Sequence, residues 1–190
     1  MAQRQWESLN INTNTASLGF KKGKFNSSIT AFYNQYTFLE EIDSFRNTEE
    51  VLLPDSSISV QKSTPWNPKT QKGLDAMLRF SPNSKTDLNY QYRIFDEVLS
   101  IYGEINRPQF KPYSFDQTYT TLRQDHQLNF EKYFKKKVYL KSTTAYNQYD
   151  RIRTTLRYEH DYDTSSIVEN DLDTTRFNAL LNRNMLSLTQ

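Results

Sequence analysis

The sequence predicts an all-β protein: an antiparallel transmembrane β-barrel segment of about seven strands, with short turns at one rim and long loops at the other. Three observations predict it. Apolar side chains recur with a period of two, the period of a half-buried strand. The connections between these stretches alternate between short and long. The composition is polar yet rich in rings, since 190 residues are only 36% hydrophobic but include 13 Tyr and 12 Phe. That ring content is too high for an ordinary disordered chain. With Gly at 4 and Pro at 6, a collagen-like, linker-like or Pro-rich scaffold is excluded. No apolar run reaches the roughly 18 residues of a membrane helix, but a membrane strand needs only alternate apolar positions.

The elements follow in order. A first strand is expected from about Ser8 to Phe20, with Ala16, Leu18 and Phe20 on one face. In Phe25–Leu39 the odd positions Phe25, Ile29, Ala31, Tyr33 and Leu39 share a face, although Phe32, Tyr36 and Phe38 put rings on the other. Gly73–Phe80 alternates through Leu74, Ala76, Leu78 and Phe80. Its Leu-Asp-Ala-Met-Leu core has fair helix propensity, but its length favours a strand. Thr86 to about Tyr102 is the cleanest case: Leu88, Tyr90, Tyr92 and Ile94 oppose Asp87, Asn89, Gln91 and Arg93. Thr118–Phe134 carries Leu122, Leu128, Phe130 and Phe134 on one face. Val138–Tyr158 sets Val138, Leu140, Tyr146, Ile152, Leu156 and Tyr158 against Lys141, Asn147, Arg151, Arg153 and Arg157. In Thr174–Leu188 the odd face, with Phe177, Ala179, Leu181 and Met185, is expected to be the apolar one.

Connection lengths add direction. Lys21-Lys22-Gly23-Lys24, Ser81–Lys85 and Lys135–Lys137 are short, whereas roughly Glu40–Gln71, Gly103–Gln117 and Glu159–Asp173 are long. A barrel that crosses a membrane gathers short turns at one rim and long loops at the other. The short turns are basic, and Glu159–Asp173 is acidic with no Lys or Arg. Rings divide in a similar way. Tyr33, Tyr36, Phe38, Tyr102, Tyr146, Tyr149 and Tyr158 are placed toward the long loops. Phe20, Phe25, Phe80, Phe130, Tyr133, Phe134 and Tyr139 are placed near the short turns. Two aromatic girdles and an ordinary cross-strand aromatic ladder both fit this division.

Few residues suggest reaction chemistry. Cysteine is absent, which removes disulfides, thiolate chemistry and cysteine zinc sites. His126 and His160 lie far apart and match no metal spacing. The acidic stretch Glu159–Asp173 supplies clustered oxygens for a hard cation, but without the EF-hand spacing it reads as a solvated loop. His160 beside Asp161 lacks a nucleophile, and His126 is expected as a packed or interfacial ring. Trp66, between Pro65 and Pro68, either pins its loop or meets a partner. A net charge of +2 argues against nucleic acid as a partner. The start, Met1 to Trp6, shows no apolar export signal. The expectation is a non-enzymatic chain with no cofactor. Asp87, Asn89, Gln91, Arg93, Lys141, Asn147, Arg151, Arg153 and Arg157 would line a wet lumen.

The segments Thr86–Glu97, Leu140–Arg151 and Asp171–Asn178 resemble the barrel domain of TonB-dependent outer-membrane receptors, especially those of Bacteroidota. The resemblance lies in strand style and segment order over most of the chain. It implies a bacterial outer-membrane location, with outer-membrane lipid and a small scarce nutrient as partners. Energy would come from the TonB system, through parts not present in this chain. Such receptors enclose a plug in a barrel of about 22 strands. Seven strands fall short of that, and neither a plug nor a TonB-contacting segment can be read. The expectation is therefore a partial barrel wall, to which no catalytic, metal, cofactor or ligand-binding residue carries over. Two further readings remain open: a small eight-stranded outer-membrane barrel with an adhesion or structural role, and a soluble β-rich binding module.

Overall fold

In a computed structural model the chain is described at residues 2–6, 11–37, 50–52, 58–60, 67–103, 106, 111–134, 138–160 and 165–188. Ten strands occur: β1 (Ala2–Trp6), β2 (Ile11–Lys22), β3 (Phe25–Tyr36), β4 (Glu50–Leu52), β5 (Ile58–Val60), β6 (Lys69–Asn83), β7 (Thr86–Ile101), β8 (Tyr113–Phe134), β9 (Val138–His160) and β10 (Ser165–Leu188). No helix is present among the described residues. Eight strands form one antiparallel sheet in the order β1-β2-β3-β6-β7-β8-β9-β10, and β4 and β5 pair separately. Each strand of the sheet lies beside its chain neighbour, with β1 and β10 at the two edges. All seven expected strands are present as β2, β3 and β6 to β10. The additional one, β1, pairs with the start of β2, from Ala2 opposite Thr15 to Trp6 opposite Ile11.

Turn chemistry explains the tight ends. Gly23 has φ +58°, in the left-handed region that a two-residue hairpin turn needs and that glycine enters without strain. At the next such turn Asn83 Oδ1 accepts the Lys85 amide at 2.9 Å, an Asx turn. The β6–β7 ladder is interrupted between Phe80 and Asn83, where Pro82 has no amide to offer.

The ladder separates the side chains into two faces. Residues opposite one another in an antiparallel pair share a face. Leu18, Ile29, Ala76, Tyr92, His126, Tyr146 and Leu180 therefore form one row across seven strands. On the opposite face the row Ser17, Thr30, Asp75, Arg93, Asp125, Asn147 and Ala179 runs across the same strands. Among the described residues no hydrophobic side chain is buried. Among the described residues no second layer covers the apolar face, and Leu18 and Leu180 are 72% and 73% exposed.

Three expectations are corrected. The segment Glu159–Asp173 is mostly strand rather than a long loop, because β9 reaches His160 and β10 starts at Ser165. Its acidic residues are paired along the ladder: Glu169 lies opposite Arg157, and Asp173 opposite Arg153, at 3.8 and 3.2 Å between charged atoms. Similarly, β8 starts at Tyr113, inside the expected Gly103–Gln117 loop. In β10 the face assignment differs. Leu172, Leu180, Leu186 and Leu188 lie on the apolar face, whereas Phe177, Ala179, Leu181 and Met185 oppose Tyr149, Asn147, Ala145 and Lys141 on the polar one. Both alternations of this strand are apolar, so its neighbour, not its own period, decides the side. Lys135–Lys137, Phe38, Leu39, Trp66 and Asp161 lie outside the described residues.

The sheet has one position where only glycine fits. A Cβ at Gly73 would stand 2.5 Å from the Phe32 ring and 2.6 Å from the Ile94 carbonyl oxygen. Phe32 folds over this gap toward Phe95, with ring centroids 6.3 Å apart. This is an aromatic ring covering a glycine on a neighbouring strand. Gly73→Val is expected to destabilise the protein by about 1–3 kcal/mol through overpacking, read as a lower urea midpoint. A variant as stable as the parent would show that the ring moves freely.

Candidate functional site

The polar face of β6 to β10 carries the candidate site. Its alternating positions bring together every residue that the sequence reading assigned to a wet lining. Arg93 sits between two carboxylates, Asp75 on β6 and Asp125 on β8, and its Nε reaches Asp75 at 2.5 Å. Asp87 accepts from Arg79 Nε at 2.8 Å and from the Ser81 hydroxyl at 2.6 Å. Lys141 pairs with Glu131 at 2.8 Å. Gln91 and Asn147 line the same surface, and Asn89 Oδ1 is sealed without a hydrogen-bond partner.

Toward the longer connections the face changes character. Arg151, Arg153 and Arg157 occupy alternate positions of β9, and extended geometry places them in a column. Arg151 lies 4.3 Å from the centre of the Tyr119 ring, and Arg157 lies 5.1 Å from that of Tyr113. These cation–π contacts hold the guanidinium groups flat against the sheet. The Nε atoms of Arg151, Arg153 and Arg157 are hidden from solvent and have no hydrogen-bond partner among the described residues. Their terminal nitrogens still reach ions, since Arg153 pairs with Asp173 and Arg157 with Glu159 and Glu169.

Between these zones runs a row of rings. The register lines up Phe32, Gly73, Phe95, Arg123, Tyr149 and Phe177 across six strands. Tyr149 stacks on Phe177 with centroids 5.0 Å apart. A cavity of about 420 Å³ opens here, lined by Arg93, Phe95, Glu97, Thr121, Arg123, Asp125, Tyr149 and Arg151. Arg93 and Arg123 in that lining are tied to carboxylates, and Glu97 accepts from Gln71 at 2.5 Å. The lining offers flat rings flanked by fixed donors and acceptors, which suits reversible contact with a polar solute bearing an apolar surface.

The histidines divide. His126 lies on the apolar face, sharing a 2.8 Å hydrogen bond with the Tyr90 hydroxyl and resting 4.8 Å from the Tyr92 ring. Its role is packing in an aromatic cluster, as the sequence suggests. His160 ends β9. Among the described residues of Glu159–Asp173 no acidic cluster forms: Glu169, Asp171 and Asp173 alternate along β10. The aromatic groups also separate. Phe25, Phe80 and Phe130 share the apolar face near the short turns, with Phe25 and Phe80 stacked at 4.5 Å. Tyr133 and Tyr139 pair on the polar face. Of the second expected girdle, Tyr33, Tyr146 and Tyr158 lie on the apolar face, but Tyr36 and Tyr149 lie on the polar one. A girdle must share one face, so neither expected ring cluster is a single belt.

Sequence reasoning misses the carboxylate partners Asp75, Asp125 and Asp173 and the ring row. Each is visible only once the register fixes which residues stand opposite. No protein-family model matches the chain, and neither does any curated protein or solved structure.

The Asp75–Arg93–Asp125 row makes a defined prediction. Arg93→Glu would place three carboxylates side by side and cost on the order of 1 kcal/mol, since like charges opposite one another repel. Adding Asp75→Arg should restore part of the loss in a double-mutant cycle followed by urea unfolding. Strictly additive effects would mean that the row does not couple.

Proposed function

We propose that this chain forms the wall of an outer-membrane β-barrel of the TonB-dependent receptor type, in which it helps a scarce nutrient cross the bacterial outer membrane. One observation carries the reading. Among the described residues the sheet has one apolar face that nothing covers, and beside the short turns that face carries an apolar band on β3, β6 and β7. Outward positions in this band are Phe25, Ile29, Ala31 and Tyr33 on β3; Leu74, Ala76, Leu78 and Phe80 on β6; and Leu88, Tyr90, Tyr92 and Ile94 on β7. The named positions span 25–33 on β3, 74–80 on β6 and 88–94 on β7, close to the roughly 9–11 residues that a tilted strand needs to span a bilayer. Above it come Lys72, Asp96, Asp150 and Arg176 on the same face, where the band ends. In water such a surface would aggregate, whereas in lipid it is the expected solvent contact.

The polar face then lines an aqueous interior, where its charges need no dry burial. The wall catalyses nothing: its ring row and arginine column offer weak, repeated contacts to a passing solute. Energy coupling through TonB and the identity of the nutrient belong to parts beyond this wall. The eighth strand, β1, favours a second reading, a complete small barrel with an adhesion or structural role. Strand lengths speak for the larger wall, because β1 has 5 residues and β10 has 24. Closing one on the other would leave most of β10 unpaired, with open backbone groups in the bilayer.

Two measurements test this. Leu78→Arg or Leu128→Arg, on the apolar face, should cost about 2–4 kcal/mol for folding into lipid vesicles, whereas Gln91→Arg on the polar face should cost little. Equal effects would exclude a lipid-facing sheet. Deleting the gene should abolish growth on one limiting nutrient in a TonB-dependent manner. Unchanged growth across iron chelates, cobalamin and glycans would leave the small-barrel reading in its place.

A further inference from the structure

The cavity of about 420 Å³ on the polar face is unevenly neutralised. Three arginines and two carboxylates line it. Arg93 pairs with Asp75 at 2.5 Å, and Arg123 with Asp125 at 3.0 Å. Two charges of the lining remain without an ion pair among the described residues, Glu97 and Arg151. Glu97 is held only by the neutral Gln71 amide, at 2.5 Å. Arg151 rests on the Tyr119 ring, with its Nε hidden and unpartnered. The register explains this isolation. Thr121 on β8 stands opposite both, with Glu97 on one side and Arg151 on the other, and Thr175 lies beyond Arg151. Two strand spacings, about 10 Å, separate the backbones that carry the two charges. Thr121 is only 8% exposed and forms the floor between them. One step along the same two strands stand the rings of Phe95 and Tyr149, flanking Arg123.

We propose that this cavity binds a small zwitterion with an apolar side group, of the class of amino acids and short peptides. Its ammonium group meets Glu97, its carboxylate meets Arg151, and its apolar group rests on Phe95 and Tyr149. The inference rests on the reading of the polar face as the wetted wall of an import barrel, and it names the kind of solute that the wall contacts. Charge decides the class. A simple anion would gain Arg151 but be repelled by Glu97, and a simple cation would meet the reverse. A neutral sugar would leave both charges unmatched. A zwitterion satisfies both, and a guanidinium group can donate two parallel hydrogen bonds to one carboxylate. Length agrees as well. An extended peptide advances about 3.3–3.6 Å per residue, so two or three residues span roughly 7–10 Å, the gap across Thr121. The volume also falls within the roughly 300–1,000 Å³ of small-ligand sites.

The probe is the dipeptide phenylalanyl-leucine, titrated calorimetrically into the full chain in detergent micelles. Heat-modifiable gel mobility confirms that the parent and each variant are folded. Two modified peptides serve as comparisons: the N-acetylated form lacks the ammonium group, and the C-amidated form lacks the carboxylate. Each should bind the parent about tenfold more weakly than the free dipeptide. Glu97→Gln should erase the difference between free and acetylated peptide while keeping that between free and amidated. Arg151→Gln should do the opposite. A site merely damaged by substitution would lose both differences together. Equal binding of all three peptides by the parent overturns the proposal, and so does either variant that keeps both differences or loses both. A folded, membrane-embedded parent that binds none of the peptides overturns it alone and leaves the barrel reading standing. Release of the chain from its membrane by alkaline carbonate would overturn the barrel reading, and with it the import role given to this cavity.

Discussion

Side chains along a strand change sides at every residue, so the ladder register decides what each one meets. Seven strand pairings join the eight-stranded sheet. A slip of one residue at any of them would turn an apolar row against a charged one. The two irregularities lie near strand ends, between Phe80 and Asn83 and between Ile167 and Glu169. The second one keeps the faces sorted. Glu169 opposes Arg157 on the polar face, and the extra residue Val168 lets Ile167 oppose Tyr158 on the apolar one.

Register acquires this weight because the sheet has one layer. In a two-layer domain a misplaced apolar residue is penalised by the opposite layer as well as by its own strand. Here the described residues have no buried hydrophobic side chain, and specificity must come from within each face. Cross-strand pairs supply it. Arg93 beside Asp75, Lys141 beside Glu131 and Arg153 beside Asp173 each fit only in the observed register. Such pairs are worth little in stability when they are exposed. Their value is in discrimination, since a shifted ladder would part Arg93 from Asp75 and Lys141 from Glu131.

The same logic explains what could be read from the sequence. Strand positions and faces were legible where one alternation is apolar and the other polar, as in Leu88 to Ile94 and Val138 to Tyr158. They failed where both alternations are apolar, as in β10, because a single strand then holds no information about side. The segment Glu159–Asp173 misled for a related reason. Six acidic residues in one stretch resemble a solvated loop, but Glu169 and Asp173 stand opposite arginines of the preceding strand. The lining residues were legible one at a time. Their juxtaposition was not, because Phe32, Phe95, Tyr149 and Phe177 are distant in sequence and become a row only through five successive registers.

Strand length links the faces to the proposed role. β8, β9 and β10 have 22, 23 and 24 residues, roughly twice what a tilted strand needs to cross a bilayer. In the halves far from the short turns the outward face is mixed, with Asp150, Arg176 and Asn170 standing among Ile152, Leu156, Tyr158 and Leu172, while the inward face carries the arginine column and its acidic partners. On the proposed reading, that second half stands clear of the lipid as a paired sheet in water. The rings of Tyr113 and Tyr119 and the guanidinium groups above them would then meet a solute before it reaches the membrane-spanning part. A ladder held together by hydrogen bonds presents such groups at fixed spacing, which a loop of the same composition would not do.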